Sequence, residues 1–449
     1  MEQQTDIYRA AKEGTLERAF SDMIAVLPGV ISLEQMKERI FALNSEEVKC
    51  SLVHEDEAGI MIELQYGDIL LPFEIEVNPA PEGIEYQEFF RQGTLLEESV
   101  FEEANNGTEF FVRTLFQGDA LVGFYNQLEF IWRIAPDLLF VLDHSAAMKV
   151  ISRDYISYYV GNDMLPDIQD LYTIHSIYED GEQEGESQYW FHTHGLLRTG
   201  LTEVELIIPS RLSSYYGIPD LFSTFVHNCF EHGYVPLNEP AIIAHGAEGD
   251  IRVIAVPWEE ALSYVGKKTK VTNLKAIEHE EVRVQPIDAS FEFLGNMDDR
   301  DDYHQQPACL LFEFNQNENT IQCFDVQFTQ NEGLMFFKTT SETERMAYNA
   351  KQSFGYFANI LETYGDDEAF QFLVKIGIPY AEEEHEHMWF EVTKIMDQEV
   401  AGILLNEPYF LPDMKKDHEY TLNLEQLTDW VIYREDDLIN PINLYQFLK

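Results

Sequence analysis

Acidic side chains outnumber basic ones by 81 to 29, which leaves a formal charge of −52 on 449 residues. A chain with this much like charge repels itself when compacted, so it folds only where apolar burial outweighs the repulsion. The material for that burial is present: 45% of residues are apolar and 13% aromatic, with 31 Phe, 23 Tyr and 5 Trp. A folded protein is expected, with two to four domains at roughly 100–200 residues each. The charge also restricts partners. Binding nucleic acid needs clustered cations to displace counterions, and the longest cluster here is only Lys267, Lys268, Lys270 and Lys275. No nucleic acid and no anionic membrane surface is expected as a partner. A basic protein is what such a field attracts, and it accelerates the encounter.

Membrane spans are not expected, because the most apolar run, Leu138–Leu142, falls far short of the roughly 20 residues a helix needs to cross. Met1-Glu2-Gln3-Gln4-Thr5-Asp6 has neither the basic nor the apolar segment of a secretory signal. Cys50, Cys229, Cys309 and Cys323 are scattered with no C-x-x-C. Such cysteines read as reduced buried thiols, and the chain as cytoplasmic.

Periodicity predicts a helix over 5–27 and a second one opened by Ser32, whose Ser32-Leu33-Glu34-Gln35 fits a capping box. Three strands, Val48–His54, Gly59–Gln65 and Ile69–Val77, follow as a meander joined by short turns. Further on, strand Leu138–Leu142 precedes a helix over 145–159. Tyr172–Tyr178, Tyr189–His194 and Glu203–Ile208 read as strands, and Asp220 as the N-cap of a helix stopped by Gly233. A charged loop at 296–302 leads to a second meander and a helix beginning near Ser341. Strands and helices mix without regular βαβ alternation, so the expected class is α+β, in several antiparallel sheet and helix blocks. Block limits are expected at 1–107, 108–290, 291–367 and 368–449.

No G-x-G-x-x-G follows a strand, and neither a complete P-loop nor a G-x-S-x-G elbow occurs. The stretch with chemistry in it is Tyr189-Trp190-Phe191-His192-Thr193-His194-Gly195, followed by Glu203-Val204-Glu205. Alternate residues of a strand share a face, which puts Trp190, His192 and His194 together. A hairpin pairing Leu201 with His194 places Glu203 opposite His192 and Glu205 opposite Trp190. A two-residue slip preserves the shared face, and a one-residue slip destroys it. Two imidazoles and two carboxylates are a donor set for a divalent metal such as zinc. The same residues also read as cross-strand pairs on a partly solvated face, worth under about 1 kcal/mol. Glu382-Glu383-Glu384-His385-Glu386-His387 reads as a solvated hairpin loop.

Glu386-His387-Met388-Trp389, then Gly402-Ile403-Leu404-Leu405-Asn406-Glu407-Pro408, then Asp429-Trp430 resemble a small bacterial module known as domain-of-unknown-function family 2314. The upstream region, with His192-Thr193-His194-Gly195-Leu196, resembles family 4026, often joined to that module. The Gly402 and Asn406-Glu407-Pro408 breaks suit a small SH3-like β-barrel. The resemblance implies an architecture and no established activity, with an association to immunity or interaction proteins of bacterial toxin systems. Trp389 and Trp430 read either as aromatic anchors for a peptide or as core residues. Pro408 and Pro412 flank Tyr409, Phe410 and Leu411, an apolar loop expected to be the contact surface of this block. The leading expectation is an acidic interaction or immunity-type protein with a basic protein partner and no catalytic residues. The alternative is a metal-binding protein or metal-dependent hydrolase built on His192, His194, Glu203 and Glu205.

Overall fold

A computed structural model describes residues 2–79, 96–179, 188–209, 212, 215–246, 249–266, 269–271, 282–289, 294, 304, 306–325, 328, 333–382, 384–435 and 437–448. The charged loop at 296–302, and Lys267, Lys268 and Lys275 of the basic cluster, lie outside the described residues. Eight α-helices are described: α1 (Glu2–Glu13), α2 (Leu33–Phe41), α3 (Glu98–Ala104), α4 (Ala120–Ile134), α5 (Arg153–Gly161), α6 (Ile218–His232), α7 (Trp258–Leu262) and α8 (Thr340–Tyr364). The class is α+β, with three sheets rich in antiparallel pairs. Contacts divide the chain into two compact units, residues 1–151 with 167–339, and residues 152–166 with 340–449.

The first unit holds two sheets. One is made of β1 (Ser21–Leu27), β2 (Val48–Glu55), β3 (Gly59–Tyr66), β4 (Ile69–Pro79), β5 (Thr108–Thr114), β6 (Phe140–Asp143) and β7 (Lys149–Ser152). Their spatial order is β2-β3-β4-β5-β1-β6-β7. The meander β2–β3–β4 forms as its short turns require, and Ser32 and Gln35 close both hydrogen bonds of the capping box. The expected helix over 5–27 is corrected. Only α1 is helical, and Ser21–Leu27 is a strand with five of its seven residues buried, paired to β5 and β6. A short apolar run is ambiguous by period, and two strand neighbours settle it here. The helix expected over 145–159 likewise resolves into a 3₁₀ turn at His144–Ala146, strand β7 and helix α5. The expected break at 107/108 falls between strands of one sheet, since β5 pairs with both β1 and β4. Helix α4 covers this sheet: Phe130 stacks on Phe73 at 4.2 Å, and Gln127 Nε2 donates to the carbonyls of Ser21 and Val112.

The other sheet has ten strands: β8 (Thr173–Glu179), β9 (Gln188–His194), β10 (Glu203–Ile208), β11 (Pro240–Gly246), β12 (Gly249–Pro257), β13 (Thr269–Val271), β14 (Val282–Val284), β15 (Ala308–Asn315), β16 (Thr320–Gln322) and β17 (Met335–Phe336). Its main path runs β13-β14-β16-β15-β10-β9-β8, with β12 on β15, β11 on β12 and β17 on β11. The β10–β15 pair is parallel and joins residues on both sides of the break expected at 290/291. Trp190, Ile207, Ile254, Val256, Leu310 and Phe312 belong to its core. Helix α6 is capped by Gly217 rather than Asp220, which lies in the first turn, and Gly233 ends it in the left-handed region as expected.

The second unit is a six-stranded sheet of β18 (Phe370–Ala381), β19 (Glu384–Ile395), β20 (Glu399–Leu404), β21 (Glu419–Asn423), β22 (Leu427–Arg434) and β23 (Asp437–Ile439), ordered β21-β20-β19-β18-β22-β23. The expected SH3-like barrel is not closed. Among the described residues β21 and β23 are the ends of the path, and the 25-residue helix α8 packs on β22 instead. Trp430 fastens that packing. It is 0% exposed, its Nε1 donates to the Ala350 carbonyl and to Ser353 Oγ, and its ring lies 5.4 Å from that of Phe357. Residues 152–166 also belong here. Tyr158 donates to the Pro441 carbonyl, while Asn349 exchanges two 2.8 Å bonds with the backbone of Leu165.

Candidate metal centre

Three histidines converge on one face of the ten-stranded sheet. His192 and His194 project from β9, and β8 pairs so that His175 lies directly opposite His192. One ligand nitrogen from each of His175, His192 and His194 falls within 4.8 Å of the others. Two nitrogens bound tetrahedrally to one zinc ion lie about 3.3 Å apart, given bonds of about 2.0–2.1 Å. Closing the set therefore asks any two nitrogens to approach by at most about 1.5 Å, within reach of rotamer adjustment. The histidines of β9 are buried, at 3% and 6% exposure. His175, on the outermost strand, is exposed, so the cluster is buried on its β9 side and open at β8. A fourth imidazole adjoins it: His304 Nε2 lies 3.0 Å from His192 Nε2, and its ring 5.3 Å from that of His194. Although His175 as a whole is exposed, its ring is half-enclosed against the cluster, and that desolvation holds the imidazole below its ordinary pKa, with the nearby His304 adding to the effect. A lowered value favours the neutral ring that metal ligation requires.

The carboxylates are used elsewhere. Glu205, not Glu203, stands opposite His192, two residues from the expected register. That slip keeps side-chain parity, and the donor group that converges is made of His175, His192 and His194. Glu205 Oε2 accepts from the Trp190 indole at 3.0 Å. Glu203 Oε2 accepts from Thr193 Oγ1 at 2.6 Å, and its Oε1 accepts from the backbone N–H of Gly195 and Leu196 at 2.9 Å. Burial pushes the Glu203 carboxyl up, and these donors pull it back. A two-histidine, two-carboxylate set is thus replaced by an all-imidazole one. Buried carboxylates must take nearby N–H and O–H groups, and here an indole, a threonine hydroxyl and the amides of the following turn supply them.

What holds β9 in place follows from the turn after it. Gly195 has φ +118°, and a Cβ there would stand 2.2 Å from the Leu171 carbonyl oxygen, so glycine is required. The chain then enters a 3₁₀ turn, Leu196–Thr199, whose Arg198 is 1% exposed. Its guanidinium makes two bonds to Asp143, at 2.9 and 2.6 Å, and one each to Ser21 Oγ and the Leu171 carbonyl. Breaking so buried a pair from one side costs about 3–5 kcal/mol. Asp143 also accepts from Ala146 N–H, and Thr173 Oγ1 on β8 donates to the Ala146 carbonyl. The next two residues, Ala147 and Met148, have φ of +52° and +63°, an uncommon conformation for non-glycine residues. They line a cleft of about 490 Å³ together with Ile174, His175, Ile177, His192 and His194. Neutral imidazoles suit zinc, copper, nickel and iron rather than magnesium or calcium, and a set of three leaves one position open.

The sequence brings His192 and His194 together through the period of a strand, and the structure adds His175 and His304. His175 sits on a strand that is legible in the sequence, with its side-chain parity visible, but the eight residues between β8 and β9 leave the register open. His304 carries no periodic signal at all. In the second unit, Trp430 is core. Trp389 is half-buried, with the Lys375 ammonium 5.6 Å from its ring centre. Tyr409 and Phe410 are 91% and 60% exposed. Their backbone N–H groups donate to Glu386, and the Phe410 ring stacks on Tyr380 at 4.4 Å. His385 and His387 belong to β19, not to a loop.

Comparison with protein families finds three matches. Residues 21–166 match the N-terminal part and residues 174–312 the C-terminal part of a protein of unknown function, DUF4026. Residues 341–441 match DUF2314, an uncharacterized protein conserved in bacteria. No curated protein and no solved structure matches the chain. With both parts of one family covering most of its length and the second module following, the chain belongs to the DUF4026 family and carries a C-terminal DUF2314 domain.

Proposed function

We propose that this chain binds a divalent transition metal, zinc being the first candidate, through His175, His192 and His194. The observation that carries the reading is the convergence of three imidazole nitrogens within 4.8 Å at the mouth of a cleft. The anchored Gly195 turn and the Arg198–Asp143 pair support it, because ligands held by a rigid frame lose little entropy on binding. Calorimetric titration of metal-stripped protein with zinc tests it, alongside metal analysis of the protein as purified. One ion per chain is expected, with His192→Ala and His194→Ala each weakening affinity at least tenfold. Absence of saturable binding ends the proposal. Catalysis by the bound metal, as in a hydrolase, is a further step that needs a substrate.

A second reading is favoured by a separate observation, the exposure of Tyr409 and Phe410 on an acidic chain. In it the second unit contacts a basic protein through Tyr409 and Phe410, with Trp389 adjoining, as an immunity-type protein would contact a toxin. Affinity capture from host lysate at low and then high salt tests this. A basic protein retained only at low salt is expected, and Phe410→Asp should lose it with the melting temperature unchanged. Equal recovery by that variant removes the loop from the interface. Among the described residues no helix is long and apolar enough to cross a membrane. The four free cysteines fit a reducing compartment, and on that ground the cytoplasm is the proposed location.

A further inference from the structure

The ten-stranded sheet ends at β8, which among the described residues pairs with β9 alone. Among the described residues its outer side presents a strand edge. Protein edges are usually blunted by a bulge, a proline or an inward lysine. Thr173-Ile174-His175-Ser176-Ile177-Tyr178-Glu179 has no proline or lysine, and its register with β9 is unbroken. The residues from His175 to Glu179 are all exposed, Ile177 at 40% and Tyr178 at 61%. The cleft beside the histidines touches Ile174, His175, Ser176 and Ile177. The same cleft meets His192 and His194 of β9, so it lies over the histidine face and reaches the edge of β8.

We infer that the outer edge of β8 takes an extended, lysine- or arginine-bearing polypeptide segment as an added strand, alongside the histidine cluster. The inference deepens the metal reading and rests on it for the coupling to the ion. Backbone pairing would supply the affinity, as in other strand-addition complexes. Side-chain alternation would supply the selectivity. One face of the added strand meets Ile177 and His175, so apolar residues belong there, and the residue opposite His175 lies over the metal ligands. The other face meets Tyr178, whose ring stacks on Tyr189 at 5.9 Å and offers a π-surface to a cation. Charge favours the same occupant. Glu179, which closes the strand, is exposed, and the whole chain carries −52.

The test is fluorescence anisotropy of a labelled octapeptide of alternating lysine and valine, titrated with the full chain, metal-stripped and zinc-loaded. Saturable binding is expected. Replacing the lysines with glutamates, or methylating alternate peptide nitrogens, should abolish it. Zinc should change the affinity by about fivefold or more, the lower end of usual coupling between adjacent ligands. Ile177→Lys should remove peptide binding while zinc still binds with unchanged stoichiometry, which shows that the variant is folded. No binding of the lysine–valine peptide, or equal binding of its methylated form, overturns the edge as a docking site. If zinc binds and the peptide does not, the inference falls and the metal reading stands. If the peptide binds but zinc does not, the metal reading and the coupling fall, and the edge remains.

Discussion

Glu203 and Glu205 show how little residue type alone says about a role. Both are buried carboxylates on one strand, two residues apart, beside a pair of histidines. One holds an indole and the other gathers a hydroxyl and backbone amides of the turn that follows His194. Glu203 thus acts on the imidazoles by fixing their backbone. Outer partners of this kind typically account for 10–100-fold in metal affinity. Glu203→Ala is therefore expected to weaken zinc binding by about that factor, with every histidine intact. It should also lower stability by about 1–3 kcal/mol through the orphaned amides. Parallel zinc titration and urea unfolding check both. Lost stability with unchanged zinc affinity would make Glu203 a structural residue only.

Register is decided at the scale of elements. Hairpins with short turns, such as β2–β3–β4, are legible because a turn of two or three residues permits few pairings. The β9–β10 pair is separated by eight residues, four of which form a 3₁₀ turn, and its true register differs from the expected one by two. Parity survived that slip, which is why the histidines were readable and their partners were not. Buried strands also carry titratable groups whose effect is set by the element around them. Glu313 on β15 is partly enclosed, and burial pushes its carboxyl above the usual range while Gln322 partly offsets this. A carboxyl raised in the folded state stabilises the fold below its unfolded pKa, near 4.3, and the contribution is lost as pH rises through the folded value. Glu313→Gln should therefore match the wild type near pH 4 and exceed it in melting temperature at pH 7–8. A constant difference across that range would show that the carboxyl does not titrate with folding.

At the scale of the whole molecule, the excess of carboxylates should make stability salt-dependent. Repulsion among like charges opposes compaction, and added salt screens it over about 10 Å at 0.1 M. The melting temperature is expected to rise between low and moderate salt at pH 7, measured by calorimetry. Solubility should pass through a minimum near the isoelectric point of about 4.3. A melting temperature that falls with salt would mean that attractive ion pairs outweigh the net charge.

By itself, the sequence determined what depends on neighbours along the chain. That covers the acidic balance, the capping box at Ser32, the meander, the stop at Gly233 and the shared face of His192 and His194. Each is governed by local hydrogen bonding, by strand period or by composition, where few alternatives compete. Only the tertiary structure decided that Ser21–Leu27 is a strand and that residues 152–166 join the second unit. It alone replaced a closed barrel with an open sheet under α8, and brought His175 and His304 to the histidines of β9. Those outcomes depend on which distant surfaces exclude water together, and on which buried polar groups find partners there. Neither quantity is written in the spacing of residues along the chain.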